Sequence, residues 1–417
     1  MVPALGIDFG TTNSVVALRG ADGAVSVLRH GAGTEAAVFR SVLCFWRDAA
    51  ERVRHAAGPG AIEAYLEDPL EARLIMSMKS YLAQRSFTET RIFGRAWGLE
   101  ALVALFLREL LGPVAAQVAP STRVVVGRPV HFVGELADDA LGERRLRAAF
   151  ASAGFPDVEV ALEPAAAGHR FAEGLDRPTT VLVADFGGGT SDFSVLRFEP
   201  GPPRRVVPLG HAGVGIAGDA FDARIIDRVI APLLGKGDTY DVMGKDMPVP
   251  PGWYASFARW HLLSLMRAPR TLRDIEAVAR TAARPERLRH LVRLVEDEAG
   301  YALYRAVSAA KAALSREERT VLRFRHADFA VEAGIARAEF EAWIAPELAR
   351  IAGAVDAALT DAGIGPEAVD RVFLTGGTSL VPAVARIFAD RFGAARLAAG
   401  GEFVSVAEGL ALMAGES

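Results

Sequence analysis

TVLVADFGGGTSDFSVLRF, residues 180–198, joins two apolar segments through a turn of three glycines and a threonine. Apolar segments on both sides of such a turn predict a β-hairpin with a polar tip. A second stretch, LGIDFGTTNSVVALRG at residues 5–20, has the same design. The Asp-Phe-Gly at residues 8–10 superposes on the Asp-Phe-Gly at residues 185–187. This repetition predicts two similarly folded halves that face one another.

Both predicted hairpin tips have residues suited to binding phosphate. Successive backbone N–H groups in a glycine-rich turn form an anion-binding nest. The two tips consist of glycine and small polar residues: Gly10, Thr11, Thr12 and Asn13 in the first, and Gly187, Gly188, Gly189 and Thr190 in the second. Asp8 and Asp185 precede the tips, and two carboxylates beside a polyphosphate favour a Mg²⁺ ion held mainly through its waters. Either tip alone is also compatible with an ordinary glycine-rich turn capped by an aspartate.

The segments between the hairpins alternate between helix and strand. Residues 98–118 have helical spacing, residues 123–130 (RVVVGRPV) form an apolar strand, and residues 144–155 are again helical, with an end at Gly154. Residues 370–392 (DRVFLTGGTSLVPAVARIFADRF) predict a strand, a Gly-Gly turn and a helix that opens after Pro382. A strand, a glycine turn and a helix amino end in this order are typical of a phosphate- or ribose-facing arrangement.

The region between residues 235 and 319 has a different character. Residues 235–252 are rich in glycine, proline and charge and predict an exposed loop. Residues 253–319 are almost wholly helical in pattern, with candidate amphipathic helices at 257–266, 287–294 and 301–314. We interpret this region as a helical insertion into the second half.

Composition excludes several classes of protein. The 417 residues carry 47 basic and 51 acidic side chains, a net charge of −4, and 51% are hydrophobic, which is typical of a globular protein and not of a disordered one. Cys44 is the single cysteine, and the amino terminus has no basic run before an apolar stretch, so we expect a cytoplasmic protein. No apolar run reaches the ~18 residues of a membrane span. The balanced charge argues against nucleic-acid binding, and small molecules or proteins are the expected partners.

Four motifs together indicate a family. GIDFGTTNSVVAL, VADFGGGTSDFSVL and VFLTGGTSLVPAV resemble the first phosphate, second phosphate and adenosine motifs of the actin-like ATPase superfamily, and within it of the Hsp70 nucleotide-binding domain. EPAAAGHRFA, at residues 163–172, is similar to the helix that connects the two lobes of that domain. The resemblance implies an α/β actin-like ATPase fold: two duplicated RNase H-like lobes, each with a mixed sheet flanked by helices, and a helical insertion in the second lobe.

The resemblance also implies domain boundaries. Lobe I would span residues 1–170, with the region around Lys79 inserted as a subdomain at about 36–97. Lobe II would span residues 171–417, with the helical insertion at about 223–304 and the adenosine motif at 372–382. From the end of the sequence we expect no C-terminal peptide-binding domain, a feature similar to a divergent YegD-like subgroup of the family.

The roles of individual residues follow from the same resemblance. Lys79 would contact the γ-phosphate and the attacking water, Glu163 and Asp185 would orient that water or receive its proton, and Thr190 would lie beside the γ-phosphate. Asp8, with Asp185, would hold Mg²⁺ mainly through water. The implied nucleotide contacts are Gly10, Thr11, Thr12, Asn13, Gly187, Gly188, Gly189, Gly218, Lys311, Ser315, Gly376, Gly377 and Thr378.

The sequence departs from the family pattern on the adenosine side. Ser308 replaces a glutamate, Ala312 and Leu380 replace arginines, and Phe403 replaces an aspartate. The phosphate motifs are therefore better matched than the base-binding motifs.

The function implied by the resemblance is a slow Mg-ATPase, with ATP, ADP and Mg²⁺ as its ligands. Such a protein would act as a nucleotide-driven conformational switch, a chaperone or chaperone-like regulator of a protein partner that binds the helical insertion at residues 253–319. One alternative is a pseudo-ATPase that binds nucleotide in a structural or regulatory role. Another is a small-molecule kinase of the same superfamily, although Lys79 and the Glu-Pro helix favour the chaperone branch.

Overall fold

A computed structural model describes most of the chain: residues 3–30, 37–68, 71–117, 122–132, 137–172, 177–199, 205–259, 263, 266–399 and 404–416. These residues form two compact units. The first unit comprises Met1–Ala217 and Ala349–Ser417, and the second comprises Gly218–Leu348.

The β-strands lie in both units. In chain order they are β1 (Ala4–Phe9), β2 (Asn13–Arg19), β3 (Val25–Val27), β4 (Phe39–Arg40), β5 (Val42–Arg47), β6 (Val53–Ala57), β7 (Arg73–Met76), β8 (Glu89–Ile92), β9 (Arg95–Gly98), β10 (Arg123–Arg128), β11 (Val158–Leu162), β12 (Thr179–Phe186), β13 (Ser191–Glu199), β14 (Arg205–Val214), β15 (Thr239–Val242), β16 (Lys245–Pro248), β17 (Arg319–His326), β18 (Phe329–Ala336), β19 (Arg371–Thr375) and β20 (Leu397–Ala399).

The α-helices separate and follow these strands. They are α1 (Gly58–Glu67), α2 (Leu99–Leu111), α3 (Asp139–Ala153), α4 (Glu163–Ala172), α5 (Gly218–Ile225), α6 (Pro251–Phe257), α7 (Pro269–Ala279), α8 (Pro285–Glu296), α9 (Gly300–Leu314), α10 (Arg337–Trp343), α11 (Ala345–Asp361), α12 (Pro382–Phe392) and α13 (Ser405–Glu416). Short 3-10 helices occupy Met78–Tyr81, Gly112–Gln117, Ala231–Leu234, Pro366–Ala368, Gly377–Leu380 and Ala394–Arg396, and a π-helix occupies Ile226–Ile230.

The first unit contains two sheets of the same design. One has the strand order β11-β10-β1-β2-β3, with β4 also paired to β2, and the other has the order β14-β13-β12-β19-β20. In each sheet the central strand pairs with the next strand of an antiparallel hairpin on one side and with a parallel strand on the other. This shared topology confirms the predicted fold class, a duplicated α/β architecture of mixed sheets flanked by helices.

The central strands are buried because their sequences are apolar on both faces. Every residue of β12 is buried, as are most of those of β1. Strands covered on both faces need such continuous apolar sequences. Helix α13 packs against β1 and α4, and α4 packs against β12. Helices therefore cover both central strands, whose carboxyl ends lead into the polar hairpin tips.

The inserted segment around residues 36–97 forms smaller sheets. Strands β6, β5 and β7 make a three-stranded sheet, and β8 and β9 make a hairpin. Cys44 is fully buried in β5. Burial raises the pKa of its thiol to about 12, which keeps the sulfur unreactive.

The second unit contains helices and two hairpins, β15–β16 and β17–β18. The predicted helices at 287–294 and 301–314 are confirmed by α8 and α9. The third candidate, 257–266, begins at the residue where α6 ends, and residues 260–262 and 264–265 lie outside the described residues. The predicted lobe boundaries stay predictions.

The prediction of an exposed loop at residues 235–252 was wrong. Strands β15 and β16 form an antiparallel hairpin there, joined by a two-residue turn in which Met243 and Gly244 both have positive φ, 53° and 81°. Asparagine or aspartate normally precedes glycine in this type of turn, so a methionine concealed the hairpin signal. The exposure was predicted correctly, since the side chain of Met243 is 99% accessible.

In the part of the chain that is described, no helix combines the length and apolar character needed to cross a membrane.

Candidate functional site

The carboxyl ends of β1 and β12 carry the two predicted aspartates. Asp8 lies opposite Val15 in the β1–β2 hairpin, and Asp185 lies opposite Asp192 in the β12–β13 hairpin. Because both aspartates end central strands of a duplicated fold, they occupy equivalent positions in the two sheets.

Lys79 lies in a short 3-10 helix that follows a residue with an unusual backbone conformation. Ser77, at the amino end of this helix, has a φ of 52°, in the left-handed region that serine rarely adopts. The ammonium group of Lys79 forms an ion pair with the carboxylate of Glu163, the first residue of α4. The two residues are 7% and 5% exposed. The structure therefore brings two of the predicted catalytic residues into direct contact away from bulk water.

The charge on Lys79 is stabilised by its neighbours. Burial alone would lower the pKa of the ammonium group, but the carboxylates of Glu163, Asp8 and Asp192 outweigh this effect, and the pKa is raised. Lys79 is therefore positively charged at neutral pH, as a group that contacts phosphate oxygens must be.

The carboxylates of this site, unlike Lys79, are shifted towards their uncharged form. Burial raises the pKa of Asp8 to about 7, with Glu163 adding to the effect and Lys79 opposing it. Burial, reinforced by Glu163, Asp8 and Asp192, raises the pKa of Asp185 well above its ordinary value. Clustered carboxylates repel one another in this way unless a cation lies among them. The site thus holds more negative charge than Lys79 alone neutralises.

Asp192 belongs to the same cluster and was missed by the sequence reasoning. Asp192 is only 1% exposed. Its carboxylate accepts hydrogen bonds from the backbone N–H of Val130, at 2.8 Å, and from the side chain of Thr190. Burial, with Glu163, raises the pKa of Asp192 to about 7. The sequence did contain a signal for this residue: an acidic side chain two positions after Thr190 in GGGTSD, directly across the predicted hairpin from Asp185.

The first hairpin tip contains polar atoms without partners. Thr12 Oγ1 and Asn13 Oδ1 are buried, and neither has a hydrogen-bond partner among the described residues. The same holds for Oγ of Ser77, beside Lys79. A buried polar atom without a partner is costly, by roughly 1–3 kcal/mol, so such atoms are typical of a site that receives a ligand.

The second hairpin tip is closed by its own backbone. The N–H of Gly187 donates to the carbonyl of Thr190, at 2.9 Å. The Gly-Gly turn after β19 lies against this tip, because a Cβ on Gly376, which has a φ of 86°, would overlap the carbonyl of Phe186. Thr378 Oγ1 also lies 3.5 Å from the carbonyl oxygen of Gly187. The structure therefore brings Gly376, Gly377 and Thr378 next to Gly187–Thr190.

These residues fit a magnesium-bound polyphosphate. Two glycine-containing turns, unpartnered hydroxyl and amide oxygens and a cluster of carboxylates with raised pKa together suit an anion accompanied by a cation. Among the described residues, no three His, Cys, Asp or Glu side chains are arranged to hold a metal directly. A Mg²⁺ ion at Asp8 and Asp185 would therefore take most of its ligands from water and phosphate.

The remaining predicted contacts lie in the second unit. The ammonium group of Lys311 donates to the carbonyl oxygen of Gly218, at 3.0 Å, and to Asp222 Oδ2, at 2.8 Å. Burial raises the pKa of Asp222 to about 6, an effect that Lys311 opposes. Ser315 Oγ lies 3.5 Å from the carbonyl oxygen of Lys311. Asp222 was not singled out from the sequence, because the Lys311 contact depends on how α5 packs against α9.

The residues that depart from the family pattern are placed as follows. Ser308 and Ala312 lie on α9 with Lys311. Leu380, which ends the 3-10 helix Gly377–Leu380, is 44% exposed. Phe403 lies outside the described residues.

Comparison with known proteins agrees with this geometry. A family model described as Hsp70 protein matches residues 76–248 and 289–415, well over half of the chain. The chain belongs to the Hsp70 family. Both the Lys79–Glu163 pair and the second hairpin lie within the part of the chain that matches the Hsp70 model.

The Hsp70 relatives found among curated proteins are named as chaperones. The chain is 27% identical over 411 residues to chaperone protein DnaK of Thermus thermophilus, covering 94% of this chain and 57% of the relative. The corresponding protein of Thermotoga maritima is 27% identical over 394 residues, covering 93% of this chain and 55% of the relative. That of Deinococcus proteolyticus is 27% identical over 412 residues, covering 94% and 56%. The chain thus spans a little over half the length of these relatives.

Proposed function

We propose that this Hsp70-family chain binds ATP with Mg²⁺ in the first unit and slowly hydrolyses it to ADP and phosphate. The observation that supports this most strongly is the buried Lys79–Glu163 ion pair within reach of the charges of Asp8, Asp185 and Asp192. The cycle would serve as a conformational switch for a protein partner in the cytoplasm. Assignment to the YegD-like subgroup stays a prediction.

The two hairpin tips would bind the phosphates. Backbone N–H groups of Gly10–Asn13 and of Gly188–Thr190 would donate to phosphate oxygens, while that of Gly187 keeps its bond to the carbonyl of Thr190. The hydroxyl of Thr12 would gain the partner that it lacks. The ammonium group of Lys79 would stabilise charge that develops on the γ-phosphate oxygens. Mg²⁺, held through water by Asp8 and Asp185, would supply further neutralisation of the phosphate charge.

Hydrolysis needs an acceptor for a proton. Water attacks the γ-phosphorus, the bond from that phosphorus to the bridging oxygen of ADP breaks, and the water gives up a proton. Asp185 and Glu163 are the predicted acceptors or orienting groups. Asp192 joins them as a candidate acceptor, since a pKa of about 7 lies close to the working pH, where a general base is most effective.

Calorimetric titration with ATP and Mg²⁺, followed by phosphate release over hours, tests this proposal. Lys79→Ala should lower the rate of release by about 100-fold or more while the dissociation constant changes only a few-fold. Lys245→Ala is the matched control, because Lys245 lies on the exposed hairpin of the second unit. Equal release from the wild type and the Lys79 variant would contradict the proposed role.

A nucleotide-binding protein without turnover is the second candidate. It is favoured by the altered adenosine side: Leu380 is exposed where the family places an arginine, and Lys311 is engaged by Asp222. Tight ATP binding with no phosphate release from the wild type would establish this candidate in place of the ATPase.

We propose that the protein partner contacts the second unit. In the described part of the chain, half of the eight exposed large apolar side chains lie within residues 233–247: Leu233, Val242, Met243 and Met247. Clustered exposed apolar groups are typical of interaction surfaces. This cluster adjoins the helical segment 253–319 that the sequence indicates as the partner surface.

Affinity capture in cell extract with quantitative mass spectrometry tests the partner surface. Met243→Asp should deplete the captured partner at least several-fold, whereas Val53→Asp, at an exposed apolar residue of the first unit, should not. Equal capture by both variants would contradict the proposed surface.

A further inference from the structure

The loop that follows Lys79 lacks regular structure of its own. The 3-10 helix ends at Tyr81, and residues 82–88 lead to β8 without forming a strand or a helix. Backbone carbonyl groups in such a loop need hydrogen-bond partners from elsewhere when water does not reach them. The position of Lys79 depends on this loop, since the N–H of Leu82 donates to the carbonyl of Lys79 at 3.2 Å.

Arg145, on α3, supplies partners for the loop. Its Nη1 lies within hydrogen-bond distance of three carbonyl oxygens and its Nη2 of a fourth: Tyr81 at 3.3 Å, Leu82 at 3.3 Å, Gln84 at 3.0 Å and Phe87 at 2.9 Å. Its Nε lies 3.2 Å from Glu100 Oε1, on α2. The side chain of Arg145 is only 13% exposed. One guanidinium group therefore ties the last carbonyl of the 3-10 helix and three carbonyls of the loop, all within residues 81–87, to two helices.

The start of α3 reinforces the attachment. The N–H of Asp138 donates to the carbonyl of Ala83 at 3.0 Å, and Nη2 of Arg85 donates to the carboxylate of Asp138 at 2.7 Å. Asp138 also caps α3 by accepting from the N–H of Leu141. The loop is thus fastened to a capped, 15-residue helix, which is a more rigid support than the loop itself.

We propose that Arg145 is a positioning residue for Lys79. It acts by holding the loop of residues 81–87, which sets where the short helix places the ammonium group relative to Glu163. This inference rests on the proposed function for its effect on turnover. A guanidinium group offers five donors in a fixed planar fork and an ammonium group only three, so lysine should replace Arg145 only in part.

Single-turnover hydrolysis with calorimetric ATP binding tests the inference. Arg145→Met should lower the hydrolysis rate constant by about 10- to 100-fold, the range that a small misplacement of a catalytic group produces, with the ATP dissociation constant within about 3-fold of the wild type. Arg145→Lys should give an intermediate rate. Arg144→Met, at the exposed neighbouring position on α3, is the matched control and should have the wild-type rate.

A second measurement does not need turnover. The chain has four lysines, Lys79, Lys236, Lys245 and Lys311, so acetylation of each can be followed by mass spectrometry. Lys79 should react slowly in the wild type relative to exposed Lys245, and Arg145→Met should raise the relative reactivity of Lys79 several-fold while that of Lys311 stays constant. If Arg145→Met proves too unstable, Glu100→Gln, which removes only the ion-pair partner of Arg145, should give a smaller change in the same direction.

The two measurements separate this inference from the proposed function. Wild-type reactivity of Lys79 in Arg145→Met overturns the inference, whatever the turnover. Raised reactivity together with an unchanged hydrolysis rate also overturns it, because Lys79 would then have been released without any effect on catalysis. Absence of hydrolysis in the wild type would refute the proposed ATPase, and the reactivity of Lys79 would then decide the positioning role alone.

Discussion

The β1–β2 and β12–β13 hairpins occupy equivalent places in two sheets of similar topology, yet they differ in what surrounds their tips. The first tip is bound by a residue outside the hairpin, since the N–H of Ser41 donates to the carbonyl of Thr12 at 2.9 Å. It also has side-chain polar atoms without partners among the described residues. The second tip closes on itself through Gly187 and Thr190. The first hairpin has one acidic residue near its tip, and the second has acidic residues on both strands.

This difference suggests a division of tasks within a duplicated fold. The first hairpin offers free hydrogen-bonding groups to a phosphate, which is a binding task. The second offers Asp185 and Asp192, two carboxylates with raised pKa, which is a proton-transfer task. The two tips have the same backbone design and differ in the side chains that they carry.

The largest expected difference between the hairpins is in catalysis. Asp185→Asn should lower the rate of ATP hydrolysis by about 100-fold or more, a larger effect than its loss of Mg²⁺-dependent affinity, because it removes a proton acceptor or water-orienting group as well as a group beside the ion. Asp8→Asn should instead weaken Mg²⁺-dependent ATP binding by about 10-fold or more, because it removes a group that orients the ion's waters. Parallel calorimetry and single-turnover kinetics measure both effects. The division of tasks is wrong if both substitutions have their larger effect on the same parameter.

A glycine exchange at each tip tests the backbone difference. A Cβ on Gly10 would overlap the carbonyl oxygen of Asn13, whereas on Gly187 its nearest neighbours would be atoms of Thr190 at 3.5 Å, an ordinary contact. Gly10→Ala should therefore reduce the free energy of unfolding by about 2–3 kcal/mol, and Gly187→Ala by less than about 1 kcal/mol. Urea unfolding of the two variants measures the difference. Similar losses would show that the first tip relaxes as readily as the second.

The sequence was informative wherever the structure depends on local pattern. The hairpins around residues 10 and 187, the strand and helix around Pro382 and the end of α3 at Gly154 all follow from apolar periodicity and turn residues. Family resemblance added Lys79 and Glu163, which lie 84 positions apart and meet only in the fold. Together these signals predicted the fold class and brought attention to the central residues of the site.

Contacts that depend on tertiary packing were not predictable in the same way. Arg145 has no motif, and its contacts exist because α3 packs beside the loop of residues 81–87. Asp222 pairs with Lys311 across the packed helices α5 and α9. The hairpin at Met243 was missed because its turn breaks the usual residue preference. Asp192 could have been found, since counting along β13 places it opposite Asp185.

The last expected effect concerns the pH dependence of stability, and it isolates the acidic residue that only the second hairpin has. The pKa of Asp192 is about 7 in the folded protein against an ordinary value of 3.8, so between these values the folded state binds more protons than the unfolded state. The contribution of Asp192 to the stability of the nucleotide-free protein must then fall as pH rises from about 4 to about 7, and level off above that range. Asp192→Asn removes this loss of stability and retains an oxygen that can accept from the N–H of Val130. The variant should therefore unfold a few degrees higher than the wild type at pH 8, and its stability should depend less on pH. It should also hydrolyse ATP more slowly. Thermal unfolding at pH 5 and pH 8 measures this. The control is Asp48→Asn, at a half-buried aspartate of the first unit whose pKa is lowered, and this variant should not gain stability at pH 8. If the unfolding temperatures of the wild type and the Asp192 variant changed equally with pH, the ionised carboxylate of Asp192 would not destabilise the folded state. The second acidic residue of the second hairpin would then have no electrostatic effect on stability.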